Sequence, residues 1–258
     1  MVQWEEKERL FRRFQIMKFD MRRHVPAVSM TIDIELNRLL ALRSEANAKR
    51  EVSLRISLTH LFMKTSANTL LHFPLLYASF DGKKIVDAKE MVFNIPVDSE
   101  NHVEYVVLHS PEKKTLDEIV KESRGQVERI QRGEGEFYLY LRRFMRIPAF
   151  IRKIGMRFPS RSIDFLQKHY GNFVITNLGS FGVGSGVPAI SMPMIAVLCL
   201  GALQEKAVRN EAGQCVFRKF IPATLIFDHR PLDGAYAGRF LAAMRELMEQ
   251  RPETLFAE

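Results

Sequence analysis

The stretch Asp228-His229-Arg230-Pro231-Leu232-Asp233-Gly234 stands between an apolar, strand-like run, residues 223–227, and a segment of helical periodicity, residues 235–250. A strand that delivers a histidine to its end, followed four residues later by an aspartate and then a glycine, gives an H-x-x-x-D-G pattern. Imidazole is the side chain that takes a proton from a thiol or hydroxyl near neutral pH and hands it on. His229 is therefore the first candidate catalytic residue, and Asp233 is carried beside it. Ala237, Phe240, Leu241, Met244, Leu247 and Met248 form one apolar stripe, so the helix must pack against a sheet. Asp233 then falls near the helix start, where a carboxylate accepts backbone N–H bonds and meets the positive end of the dipole. A cap or a structural ion pair is the plainer reading of Asp233, and proton chemistry the lesser one. Gly234 is read as the residue that lets the chain turn sharply into the helix.

A second segment lies upstream: Phe173-Val174-Ile175-Thr176-Asn177-Leu178-Gly179-Ser180-Phe181-Gly182. It is followed by Val187-Pro188-Ala189-Ile190 and by a strand-like run over residues 193–201. Together with the His229 segment, this resembles the catalytic domain of the dihydrolipoyl acyltransferases, the core subunits of 2-oxoacid dehydrogenase complexes. It is also similar, more distantly, to chloramphenicol acetyltransferase. The match is ordered from about residue 172 to the C-terminus and weaker from residue 25 to residue 97.

The resemblance implies an α/β (α+β) fold, a two-layer sandwich of a mixed sheet with helices, assembled as a homotrimer or as trimers of higher order. It implies that His229 deprotonates an attacking thiol, hydroxyl or amine, with no acyl-enzyme. It implies that the hydroxyl of Thr176 donates to the oxyanion of the tetrahedral intermediate, across a subunit boundary from the histidine. Asn177 and Gly179 shape the turn. Asp233 is expected to pair with an arginine, for which Arg12, Arg13, Arg22 and Arg23 are candidates. Coenzyme A or an acyl-coenzyme A is the implied substrate, with no metal.

Composition agrees with one catalytic domain. At 258 residues with 47% hydrophobic and 26% charged side chains, the chain can bury a core and is not disordered. The N-terminus is charged where a secretory signal would be apolar, and no run of about eighteen apolar residues could span a membrane. A cytoplasmic location is expected. Cys199 and Cys215 lack metal-ligand spacing and read as small core residues in a reducing compartment. A net charge of +8 could attract nucleic acid, an anionic surface or an anionic substrate. No nucleic-acid-binding motif accompanies it, so coenzyme A phosphates explain it better.

The remaining pattern predicts strands at 28–34, 91–97, 103–109, 206–209 and 215–220, and helices at 36–49 and 58–71. A hairpin is expected over 77–86 around Asp81-Gly82, and a helix capped by Thr115 and Glu118 runs to about Gln131. Residues 1–24 form an N-terminal arm, and the whole chain is read as a single catalytic domain. Three departures from the resemblance stand out. No lipoyl or peripheral-subunit-binding domain is expected on this chain, and Lys89 in Val86-Asp87-Ala88-Lys89 is not read as a lipoyl-lysine. The family's proline-aspartate-glycine-leucine segment is replaced by residues 97–103. Residues 133–171 form an insertion rich in arginine and aromatics, broken by Pro148 and Pro159.

That insertion reads first as a helical pair covering the sheet or trimer surface. The sharper reading is a docking surface for an acyl carrier protein or a lipid headgroup. Three functions follow: a stand-alone acyltransferase, an oligomeric scaffold without catalysis, or a dehydrogenase partner served by a lipoyl domain on another chain.

Overall fold

A computed structural model describes residues 6–19, 25–99, 102–148, 151 and 159–257. Among the described residues one sheet of seven strands organises the chain, in the order β1-β9-β7-β6-β4-β5, with β8 off that path and paired to the first half of β9. The strands are β1 (Ala27–Glu35), β4 (Val92–Ser99), β5 (His102–His109), β6 (Phe173–Asn177), β7 (Ala196–Leu200), β8 (Gln204–Arg209) and β9 (Cys215–Asp228). A separate short hairpin joins β2 (Ser79–Phe80) to β3 (Ile85–Val86). The sheet is mixed: β4, β6 and β7 run parallel, and every other pairing is antiparallel.

The helices are α1 (Glu6–Phe19), α2 (Asn37–Ala48), α3 (Leu58–Leu70), α4 (Leu116–Gln131), α5 (Glu136–Arg146), α6 (Pro159–Tyr170) and α7 (Gly234–Gln250). Strand residues alternate between the two faces of a sheet, and the two faces here meet different helices. Phe93, Ile95, Phe173, Ile175, Leu198, Leu225 and Phe227 join the main core under α3, α4 and α7. Val174 and Val197 point the other way and meet Phe11, Phe137, Leu141 and Tyr170 from α1, α5 and α6.

Local chemistry accounts for the helix ends. Thr115 Oγ1 accepts from Glu118 N at 3.2 Å while Glu118 Oε2 accepts from Thr115 N at 2.8 Å, the reciprocal cap expected. Ser57 and His60 make the same exchange at the start of α3. Pro159 opens α6, where a missing N–H costs nothing. Thus α5 and α6 form the helical pair on the sheet. Glu104 on the edge strand β5 is fully buried and holds Lys7 of α1, which ties the N-terminal helix to the sheet.

Several expectations need correction. Residues 215–220 and 223–227 are not two strands but one, β9, which continues through Pro222 because Pro222 still presents its carbonyl to Gly201 N at 2.8 Å. Asp98 belongs to β4, opposite Val103, so the β4–β5 connection is tighter than the polar sequence implied. The short hairpin pairs Phe80 with Ile85, giving a four-residue loop in place of a two-residue turn. Cys199 is buried on β7 but Cys215 is exposed, so only the first is a core residue.

Candidate active site

His229 follows directly on β9. Its backbone N–H donates to Pro26 O at 3.0 Å, which extends the β1–β9 ladder by one bond and fixes where the side chain leaves. Its Nδ1 lies 2.8 Å from the Leu232 carbonyl. A carbonyl only accepts, so Nδ1 carries the proton and Nε2 keeps its lone pair. Buried Phe227 places its ring edge-on to the imidazole, with centroids 5.9 Å apart. The histidine is exposed, and Nε2 makes no hydrogen bond among the described residues.

The residues flanking it carry an ion pair that the sequence reading missed. Asp228 is fully buried, and Arg230 Nε donates to it at 2.9 and 3.2 Å. The guanidinium also lies 5.0 Å above the Phe80 ring. The signal was in the motif itself. Residues two apart at a strand end project to the same side, so an aspartate and an arginine bracketing a histidine can pair around it.

Asp233 is the N-cap of α7 and accepts from Tyr236 N at 2.7 Å. It is exposed and makes no ion pair among the described residues. The side chains of Arg12, Arg22 and Arg23 lie outside those residues, and Arg13 is exposed. Among the described residues, the buried carboxylate that holds an arginine is Asp228. Gly234 also differs from expectation. It has no left-handed φ, and a Cβ there would come no closer than 3.8 Å to Met30 Sδ, so the turn does not depend on glycine.

Thr176 and Asn177 end β6. Asn177 Nδ2 donates to Thr59 Oγ1 at 2.9 Å, tying the strand end to the first turn of α3. Gly179 is required for close approach, since a Cβ there would sit 2.2 Å from the Gly201 carbonyl oxygen. Gly201 is pressed in turn against Gly184. Cys199, opposite Thr176 on β7, accepts from the backbone N–H groups of Gly186 and Leu178, and burial pushes its thiol up to about 11. It is no nucleophile near neutral pH.

Beyond the carboxyl ends of β4 and β6, the chain leaves a chamber of about 360 Å³. Thr176, Asn177 and Leu178 form one wall, α3 and α4 another, and Ile95 to Asp98 with Val103 a third. Crevices at the carboxyl ends of parallel strands are where such sheets bind ligands. At its buried side His60 accepts from Ser57 N at 3.1 Å through Nδ1, so Nε2 donates to Ser123 Oγ at 3.1 Å. Burial first, and then the nearby Arg124, push the His60 pKa down to about 4. His60 is a neutral, fully engaged wall residue.

His229 is not part of this chamber, and the strand register says why. Thr176 pairs with Cys199, and Cys199 with Thr224, two strands across the sheet. His229 lies five residues farther along β9, which is about 17 Å along the strand and about 10 Å across. Within one protomer His229 and Thr176 cannot meet. Lys89, for its part, sits in the loop after β3 and faces Asp164 at 3.3 Å.

A mixed sheet with helices, a histidine with a free Nε2 after the long strand and a T-N-L-G turn beside a chamber define the acyltransferase catalytic-domain fold. The sequence profile of the 2-oxoacid dehydrogenases acyltransferase (catalytic domain) family matches residues 12–136 and 142–257, and the chain belongs to that family. The break in that match falls inside segment 133–171.

A relative is the acetyltransferase component 3 of the mitochondrial pyruvate dehydrogenase complex of Arabidopsis thaliana. It is 26% identical over 229 residues, which are 87% of this chain and 37% of that protein. The chain thus spans little more than a third of that relative's length. Among solved structures, the dihydrolipoamide acetyltransferase of Azotobacter vinelandii, studied for a serine, a histidine and an asparagine in its catalytic mechanism, superposes with a TM-score of 0.76. It shares 18% identity and covers 100% of this chain and 95% of that one. Chloramphenicol acetyltransferase superposes with a TM-score of 0.51 at 14% identity, over 95% of this chain and 96% of that one.

Proposed function

We infer that this chain transfers an acyl group between a coenzyme A thioester and a thiol by direct displacement, in an active site shared by two copies. The observation that carries this reading is the hydrogen bond from His229 Nδ1 to the Leu232 carbonyl, which leaves Nε2 as an oriented base. The acceptor thiol gives its proton to Nε2 as its sulfur attacks the acyl carbonyl carbon. The carbonyl oxygen becomes an oxyanion, held by the Thr176 hydroxyl. Collapse of the intermediate expels the coenzyme A sulfur, which recovers the proton from the imidazolium. No acyl-enzyme forms and no metal is called for.

The register argument supports assembly. Since about 20 Å separates His229 from Thr176 in one protomer, a site using both needs His229 from a neighbour. A homotrimer closes such an arrangement with three equal sites. Exposed apolar groups on the same strands and loops, Phe181, Val187 and Phe217, are suited to lie between copies. Asp228 and Arg230 act as positioning residues for the histidine.

The acceptor that fits the family is a dihydrolipoyl group carried by another chain, so the protein would serve as acyltransferase partner of a 2-oxoacid dehydrogenase. The exposed Arg142, Arg143 and Arg146 of α5 offer an anionic carrier domain or membrane surface a place to dock. A reducing, cytoplasmic setting goes with the two free thiols.

Transfer from acetyl-coenzyme A to dihydrolipoamide, compared between wild type and His229→Ala, tests the reading. General-base assistance is worth about 10²–10⁴-fold. Loss on that scale, in a protein with unchanged far-ultraviolet circular dichroism, is the expected result. Activity retained within a few-fold would remove His229 from the mechanism.

A further inference from the structure

The tetrahedral carbon of a direct displacement carries four groups: the oxyanion, the leaving sulfur, the attacking sulfur and the acyl chain. Both sulfurs arrive on long arms and need their own approaches. The acyl chain needs a third direction, next to the oxyanion donor.

The chamber beside Thr176 supplies that direction within one protomer. Its walls are made mainly by Met63, Ile95, Val97, Val106, Val127 and Leu178. At its buried side the His60–Ser123 pair is engaged, as His60 donates to Ser123 and Ser123 donates to Ile119 O at 2.6 Å, while Asn177 Oδ1 and Arg124 Nε are buried without a partner among the described residues. Arg124 is the one lasting cation on its wall among the described residues, and its Nη2 is held by the Arg55 carbonyl at 2.6 Å. Its guanidinium is committed in part to that carbonyl, and most of the remaining wall is apolar. Val97, Asp98 and Val103 on the rim belong to the segment in which this chain departs from the proline-aspartate-glycine-leucine pattern. The departure therefore falls on the chamber itself.

We propose that this chamber is the acyl-chain pocket, and that it selects neutral, apolar acyl groups longer than acetyl, with Val97, Val106 and Val127 as specificity-determining residues. The proposal rests on the acyl-transfer reading and deepens it. Each methylene that enters such walls strengthens binding about fourfold. The gain ends where the chain meets the far wall, and a terminal carboxylate has to be desolvated beside Ile95 and Met63.

The test uses non-hydrolysable S-alkyl-coenzyme A thioethers, from ethyl to octyl, and an S-(3-carboxypropyl) analogue. Their affinities for the full chain are read by titration calorimetry. The expected result is a rise of about fourfold per methylene to a cut-off, with the carboxylated analogue below its neutral counterpart. Val127→Phe should move the cut-off to shorter chains and Val127→Ala to longer ones. The ratio of hexyl to ethyl affinity serves as the internal readout.

If coenzyme A thioethers bind but affinity ignores chain length, the chamber assignment falls while acyl transfer stands. Tighter binding of the carboxylated analogue overturns it in the same way. If no coenzyme A species binds to a folded protein, the acyl-transfer reading itself falls, and this proposal with it.

Discussion

The two ends of the sheet are built on opposite principles. At the Thr176 end, chain segments close on one another: Asn177 holds Thr59, Gly179 presses on Gly201, and α3 and α4 wall a chamber. At the other end His229 stands exposed, oriented by two backbone carbonyls and flanked by the Asp228–Arg230 pair. One end is a container without a base, and the other a base without a container. The contrast teaches that neither end of one protomer holds both groups, which is what the proposed sharing of the site between copies requires.

The strongest way to break this comparison is to separate the halves on different chains. Thr176→Ala should cost about 10²–10³-fold in turnover, the usual effect of losing one oxyanion donor. Mixing Thr176→Ala and His229→Ala chains after reversible dissociation should restore activity, because some interfaces then carry both intact residues. Two inactive parents that stay inactive in confirmed mixed oligomers would show that the halves do not meet.

A smaller effect is expected at the ion pair. Arg230→Met leaves the Asp228 carboxylate buried without its partner, which should destabilise the fold by about 2–3 kcal/mol once the partial exposure of Arg230 is discounted. Urea denaturation measures it. Adding Asp228→Asn should recover part of the loss, since no buried charge then remains, and an unrescued double variant would point to lost packing on Phe80 instead.

The mildest test is acid. His60 in the folded chain holds a pKa of about 4, below the ordinary value of 6.5. The unfolded chain therefore binds more protons between those two values. The stabilisation is complete above about pH 6.5 and falls away as the pH drops towards 4, by on the order of 2–3 kcal/mol. His60→Gln should flatten that part of the stability profile. An equal slope in the variant would assign the acid sensitivity elsewhere.

Much of this was legible before any coordinates. The stripe from Ala237 to Met248 placed α7 on the sheet, because a helix repeats its faces every 3.6 residues. The Thr115–Glu118 exchange announced the start of α4, since both partners sit within one turn. Asp233 as a cap followed from its place before an amphipathic run. What stayed hidden depended on contacts across the sequence. The hydrophobic pattern broke β9 at Pro222, yet pairing on both sides carried the strand through. The Asp228–Arg230 pair depends on how the chain turns beyond the end of β9, which residue spacing alone does not fix. Gly234 looks in the sequence like a turn residue, but its backbone does not adopt a left-handed φ.

The amino-acid sequence by itself determined most of the helices, the family and the candidate residues of the chemistry, because these rest on local periodicity, capping and two short motifs. Only the tertiary structure decided that the chamber lies beside Thr176 and that His229 sits about 20 Å from it. The reason is physical. Residue spacing along the chain fixes local faces, whereas strand order and register fix distances between segments far apart in sequence.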